Sequence, residues 1–177
     1  MDVRSRILDS ALGLAFDSGV AALTQPRIAQ AARVRQSHLT YYFPTRAVLL
    51  ESVAQHMMEG MMEGMRSVAR ANAGKGAEAL AKAITEAVLD TRRARVMLAL
   101  IVASDEEPAI KTWLSEFIDK LRARIAEVLS DAGLDASQAV LFHTMLVGAA
   151  ILNVARDNDT SRRETRGTVR AALELLT

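Results

Sequence analysis

Residues 35–46 read RQSHLTYYFPTR and hold both tyrosines of a chain that is only 4% aromatic. A helix over about 36–43 fits the stretch, because stepping roughly 100° per residue from Leu39 puts Phe43 on the same face. Gln36 and Tyr42 then border that face, while Ser37, His38, Thr40 and Tyr41 point away. Pro44 disfavours helical backbone at Phe43, so the helix ends there. Just upstream, Thr24 is placed to N-cap a short helix through about Ala32, with Pro26 tolerated in its first turn. Two short helices flanking a tight turn make a helix-turn-helix, whose second helix lies in the DNA major groove with its N-terminal residues nearest the bases. The charge pattern agrees: residues 18–50 contain no Asp or Glu, but do contain Arg27, Arg33, Arg35 and Arg46.

Further out, 177 residues with 50% apolar content are ample for a packed core. The absence of cysteine removes disulfides and thiolate chemistry. The opening MDVRSRILDS lacks the apolar run of a signal peptide, so the expected location is cytoplasmic. AVLFHTMLVGAAILNVA, from Ala139, is broken by His143, Thr144 and Asn153 and reads as a buried helix rather than a membrane span. The net charge is +1, yet residues 1–46 carry six Arg against three acids while the remainder is net acidic. The basic surplus therefore belongs to the N-terminal part.

Almost every segment has the 3.6-residue period and none alternates as a strand does, so the class is all-α. A first amphipathic helix carries Ile7, Leu8, Ala11, Leu12 and Ala15, and Gly19 is suited to end it. A long helix should start at Thr45 and pass Met65. Further helices are expected over about 77–91, 92–104, 108–131, 136–156 and 162–176. Gly74, Gly76, Gly133 and the segment SDEEP should separate them.

The chain resembles the TetR-type (TetR/AcrR-like) bacterial transcriptional regulators through Thr24, Ile28, Ala29, Ala32, Val34, Leu39, Phe43, Pro44 and Arg46, with ILDSAL of the first helix fitting as well. The resemblance is specific over residues 4–53. Beyond them, length, helical character and charge pattern agree. It implies a three-helix helix-turn-helix domain, residues 1–46, followed by a helical-bundle effector and dimerisation domain, residues 47–177. It also implies a cytoplasmic, ligand-responsive repressor that binds a near-palindromic double-stranded operator as a homodimer.

By the same resemblance Thr24, Gln25, Tyr42 and Arg46 hold the phosphate backbone, with Tyr41 adding a hydroxyl at that edge. Gln36, Ser37, His38 and Thr40 face base edges, joined by Arg35 if it reaches inward; Gln36 suits adenine and Arg35 guanine. Arg33 stands where a turn glycine is usual in the family. A left-handed arginine costs about 1 kcal/mol, so a different turn or some compensation is expected. Arg33 and Arg35 also keep open a second reading, a helical interaction module without sequence-specific DNA binding.

The long helix contains MMEGMMEG, in which Met57, Met61 and Met65 form one stripe and Met58 and Met62 the next. Gly60 and Gly64 each weaken the helix by about 1 kcal/mol relative to Ala. In the family this helix joins the two domains, so the stretch is a candidate lining for an adaptable pocket that takes a small apolar or amphipathic effector; plain core packing is the alternative. Met97, Ile101, Trp113, Phe117, Phe142 and Met145 are further pocket candidates. Arg92, Arg93 and Arg95 are candidates for an effector carboxylate, or else a solvated face.

The last two helices are too apolar for one exposed side. Val147, Gly148, Ile151 and Leu152, with Val169, Leu173 and Leu176, are expected in an isologous four-helix dimer interface, the alternative being burial within one protomer. His56, Glu59 and Glu63 complete no metal site, and no catalytic triad, phosphate loop or dinucleotide fingerprint is visible. No enzyme activity, cofactor or metal is expected.

Overall fold

A computed structural model describes residues 2–72, 77–106 and 108–176. Gly74 and Gly76, expected as helix breaks, and Glu107 of SDEEP lie outside the described residues. Among the described residues every regular element is helical, as the period requires. The helices are α1 (Val3–Ser18), α2 (Gln25–Ala31), α3 (Gln36–Tyr42), α4 (Arg46–Asn72), α5 (Ala77–Leu89), α6 (Thr91–Ala103), α7 (Pro108–Asp131), α8 (Ala139–Arg156) and α9 (Asp159–Glu174).

The chain forms two compact units, one of residues 1–61 and 95–116, the other of residues 62–94 and 117–177. The division crosses α4 between Met61 and Met62, inside MMEGMMEG and between its two glycines.

In the first unit, α1 starts where the Asp2 carboxylate accepts the Arg4 backbone N–H, and it ends at Gly19, whose φ of 79° glycine adopts freely. Its Ile7, Leu8, Ala11 and Ala15 are buried. α1 packs on α2, and α2 on α3. α4 begins where the Thr45 hydroxyl accepts the Val48 N–H at 3.2 Å.

The α2–α3 turn keeps its left-handed residue although the glycine is replaced: Arg33 has φ 53°. Its N–H donates to the Gln30 carbonyl at 3.1 Å, and the Val34 N–H to the Ala29 carbonyl at 3.0 Å. That pair of bonds is the Schellman arrangement, which satisfies carbonyls left over at a helix end. The same two bonds end α7, where Gly133 (φ 72°) donates to Ser130 and Leu134 to Leu129. One sequence thus closes the same motif once with glycine and once with arginine, and the turn is not redesigned. Arg33→Gly should therefore raise stability by about 0.5–1 kcal/mol and Gly133→Ala lower it by about 1 kcal/mol, read from urea midpoints.

In the second unit α9 packs on α8 and α5, and α5 on α8. α9 starts at Asp159, three residues before the position expected from sequence. Asn158 caps it, its side chain accepting the Ser161 N–H at 2.9 Å while the Asn158 N–H donates to the Ser161 hydroxyl oxygen. That hydroxyl also donates to Asn153 Oδ1 of α8 at 3.1 Å, a bond between two fully buried side chains. The hairpin from α8 to α9 is thereby fixed by polar groups that water cannot reach. Residues 136–138 form a short 3₁₀ turn capped by Asp135, so the α-helix proper begins at Ala139.

Two expectations about this unit need correction. Val169, Leu173 and Leu176, expected at a dimer interface, are 0%, 5% and 3% exposed. They belong to the protomer's own core, because α9 turns its apolar face inward. The helix from Ala139 is not buried all round either. Ala139, Phe142, Ala149 and Asn153 face the interior, whereas Val140, Leu141, Val147, Ile151 and Leu152 are exposed. With its preceding turn this helix is long and apolar enough by composition to cross a membrane, yet it carries a hydrogen-bonded asparagine on its packed face.

Candidate nucleic-acid interface

The short helix α3 is seated by two side chains. Leu39 and Phe43 are both 0% exposed, anchoring the helix from below. Gln36, Ser37, His38, Thr40 and Tyr41 are exposed on the other side, with Arg35 just ahead of the helix. Tyr41 stands out at 81% exposure and meets Tyr42 edge to face at 5.2 Å, while Tyr42 is half-buried. The Thr40 hydroxyl donates to the Gln36 carbonyl at 3.1 Å, so toward solvent this side chain offers an acceptor and a methyl group.

Around α3 stand groups of the same character. Thr24 occupies the N-cap position of α2 in extended backbone, but its hydroxyl makes no capping bond; it is exposed, and Gln25 is half-buried. Arg46, at the start of α4, donates from Nη1 to the Leu23 carbonyl at 3.3 Å, so its guanidinium is tied to the segment that leads into α2. Four of its five N–H groups remain for other acceptors.

A further cation arrives from a distant part of the chain. Arg4 of α1 lies with its guanidinium carbon 5.7 Å from the centre of the Phe43 ring, within cation–π range. The positive charge of α1 thus reaches the C-terminal end of α3. Sequence reasoning overlooked Arg4 because nothing local to it signals the contact, which is made across 39 positions and depends on α1 crossing the small domain.

The effector-pocket candidates divide between the two units. Met57, Met58, Met61, Met97, Ile101 and Trp113 fall in the first, and Met62, Met65, Phe117, Phe142 and Met145 in the second. Met57, Met58, Phe117 and Phe142 are buried, Ile101 is half exposed, and the others lie between. Arg92 is already engaged: Asp90 accepts from its Nε at 2.9 Å and its Nη2 at 3.0 Å. Those bonds outweigh burial and hold the Asp90 carboxyl below its ordinary value. An effector carboxylate would have to displace Asp90 from Arg92. A Cβ added at Gly60 or Gly64 meets nothing within 4 Å, and the same holds at Gly148, so among the described residues no backbone beyond their own helix approaches those glycines closely.

Burial, then the charge of Arg122, pushes the His143 imidazole on α8 below its ordinary 6.5. The unfolded chain then takes up this proton at higher pH than the folded one, so stability is complete above about pH 6.5 and declines as pH falls below it. The melting temperature should drop as pH is lowered from neutral toward about 5, and His143→Gln should flatten that part of the profile. An identical profile in the variant would remove His143 as the source.

The chain matches the family described as bacterial regulatory proteins, tetR family, over residues 7–53. It matches the tetracyclin repressor-like C-terminal domain over residues 71–175, more than half of its length. Its fold is similar to that of a TetR transcription regulator from Haloarcula marismortui, at 17% identity and a TM-score of 0.78, covering 99% of this chain and 98% of that one. A transcriptional regulator from Saccharomonospora viridis, solved in complex with choline, is similar at 18% identity and a TM-score of 0.76, covering 97% and 95%. Multidrug binding protein EbrR, complexed with proflavin, is similar at 21% identity and a TM-score of 0.68, covering 97% and 99%. No curated protein matches. Helix-turn-helix domain, all-helical remainder and both family matches agree, and the chain belongs to the TetR family of bacterial transcriptional regulators.

Proposed function

We propose that this regulator is a ligand-responsive repressor that binds a near-palindromic operator as a homodimer. The observation that carries the reading is the outer face of α3: exposed, free of acids and held by two fully buried anchors. In this reading Gln36, Ser37, His38 and Thr40 meet base edges, with Arg35 at the entry. Thr24, Gln25, Tyr41, Tyr42 and Arg46 hold the backbone, and Arg4, braced on Phe43, adds a phosphate contact beyond the helix-turn-helix. Residues 1–46 act as the DNA-binding domain and residues 47–177 as the effector and dimerisation domain. The exposed apolar face of α8, with Val147, Gly148, Ile151 and Leu152, receives the second copy. A two-fold dimer then demands two half-sites.

Similar folds carry small organic ligands, choline in one and proflavin in another. Here a small apolar or amphipathic effector is read as acting through α4, whose glycine-weakened stretch coincides with the division between the compact units.

Titration of operator and random DNA at several salt concentrations tests the reading. Two protomers neutralising about six to ten phosphates give a slope of log affinity on log salt of roughly −5 to −9. Gln36→Ala should cost about 1 to 3 kcal/mol on the operator and leave random DNA nearly unaffected. Equal losses on both would mean that α3 does not read sequence.

A further inference from the structure

Four of the described residues have positive φ, and the fold accounts for three of them. Gly19 and Gly133 have no side chain to strain. Asp157, at φ 40°, is of a type that tolerates this backbone, and its carboxylate answers Arg162 at 3.5 Å. Arg33 is the fourth. Its φ is 53°, its side chain is exposed, and among the described residues no hydrogen bond or ion pair involves its guanidinium. The turn leaves this residue no other backbone: the Arg33 and Val34 N–H groups both donate back to α2, at 3.1 and 3.0 Å, and Ala32 before them is 2% exposed. Arg33 therefore carries a conformational cost that nothing among the described residues offsets.

Gly or Asn would fill the position with less strain, so what arginine adds is its charge and its donors. No Asp or Glu occurs from Ser18 to Leu50, and no acid near in sequence competes for that charge. The turn stands directly ahead of α3, with exposed Arg35 between Arg33 and the helix. In a helix-turn-helix the second helix enters the major groove by its N-terminal end, which brings the turn before it to the groove's edge, where the phosphates are. We propose that Arg33 is a DNA backbone contact, a cation kept at a strained turn for the phosphate beside the start of α3. It is additional to the backbone contacts named above, and the proposal rests on the reading of α3 as the DNA-facing helix. Guanidinium suits the role because its forked donors match phosphate oxygens two at a time. Such a contact positions the protein and reads no base, so its loss weakens binding to every sequence alike.

The test uses the full chain and a fluorescein-labelled duplex of random sequence, titrated at several salt concentrations, so that no operator has to be known. Arg33→Gly and Arg33→Asn remove the charge while easing the backbone, and Arg33→Lys keeps the charge at the same strained position. In Arg33→Gly the urea midpoint should rise while affinity for the duplex falls about tenfold for each protomer engaged. The slope of log affinity on log salt should become shallower by roughly 0.9 per protomer, the loss of one phosphate contact. Arg33→Asn should bind as weakly, and Arg33→Lys should keep the parent's slope and most of its affinity. Higher stability with weaker, less salt-dependent binding is a combination that a structural or a merely solvated arginine does not give. Three results would overturn the proposal: parent-like slope and affinity in both neutral variants, a flattened slope in Arg33→Lys as well, or loss of dimer with lower stability in Arg33→Gly. The last would assign Arg33 to an acid of the second copy. A parent that binds the duplex with steep salt dependence, beside neutral variants that do the same, counts against this proposal alone. A parent that binds no duplex at low salt counts against α3 as the DNA-facing helix, and against the proposal with it.

Discussion

Gly148→Glu combined with Leu152→Asp should leave a folded protomer and no dimer. Leu152 is 60% exposed within the chain and Gly148 has open space beyond its Cα, so in the monomer both new carboxylates stay in water at little cost. In a two-fold interface each charge appears twice, the neighbouring cation on α8, Arg156, is already engaged by Glu164, and burying the new carboxylates costs several kcal/mol. Sedimentation should report a single protomer, with the helical circular dichroism and melting of a folded chain. Operator affinity should fall by about a hundredfold or more, because the second half-site no longer binds as part of the same molecule. Val169→Asp is the contrast. At 0% exposure that position lies inside the protomer, and the variant should fail to fold rather than dissociate. A folded, undiminished dimer from the double variant would place the interface away from α8.

Phe43→Ala and Tyr41→Ala should separate folding from recognition within one short segment. Phe43 is 0% exposed, follows α3 directly, and supports both the Tyr42 ring at 6.4 Å and the Arg4 guanidinium. Removing its ring leaves a cavity that seven residues of helix cannot close, so a loss of about 3–5 kcal/mol is expected. That is a large part of the stability of a typical domain, and operator and random-DNA binding should vanish together. Tyr41, 81% exposed, touches little but Tyr42 and should change the urea midpoint hardly at all. Its loss should nevertheless weaken DNA binding by about 1.5–3 kcal/mol, the worth of one hydrogen bond to a charged phosphate. If Tyr41→Ala matched the parent on DNA, the exposed ring would lie outside the interface.

Much of this molecule was legible without coordinates. Leu39 and Phe43 as anchors, and Ser37, His38, Thr40 and Tyr41 as the outer face, followed from the 100° step, because in a seven-residue helix with one apolar face there is only one way to seat it. Gly19 and Gly133 ended their helices as expected. Arg33 showed the limit of that reasoning. Its side chain disfavours a left-handed backbone, but the hydrogen bonds of the turn and the packing of α2 on α3 impose one. The start of α9 was missed for a similar reason: the cap at Asn158 is completed by Ser161, which also answers the buried Asn153 of another helix.

By itself the sequence determined the helical class, the order of elements, the acid-free basic front and the faces of α3, all of which depend on neighbours one or two turns apart. Only the tertiary structure decided what covers each apolar face. Periodicity marks the stripes of α8 and α9 alike as hydrophobic, yet α9 buries Val169, Leu173 and Leu176 inside the protomer while α8 leaves Val147, Ile151 and Leu152 outward. It likewise brought Arg4 to Phe43. The physical reason is the same in each case: a side chain's local pattern records its preference for water or oil, whereas its partner is set by which distant segment the fold brings alongside.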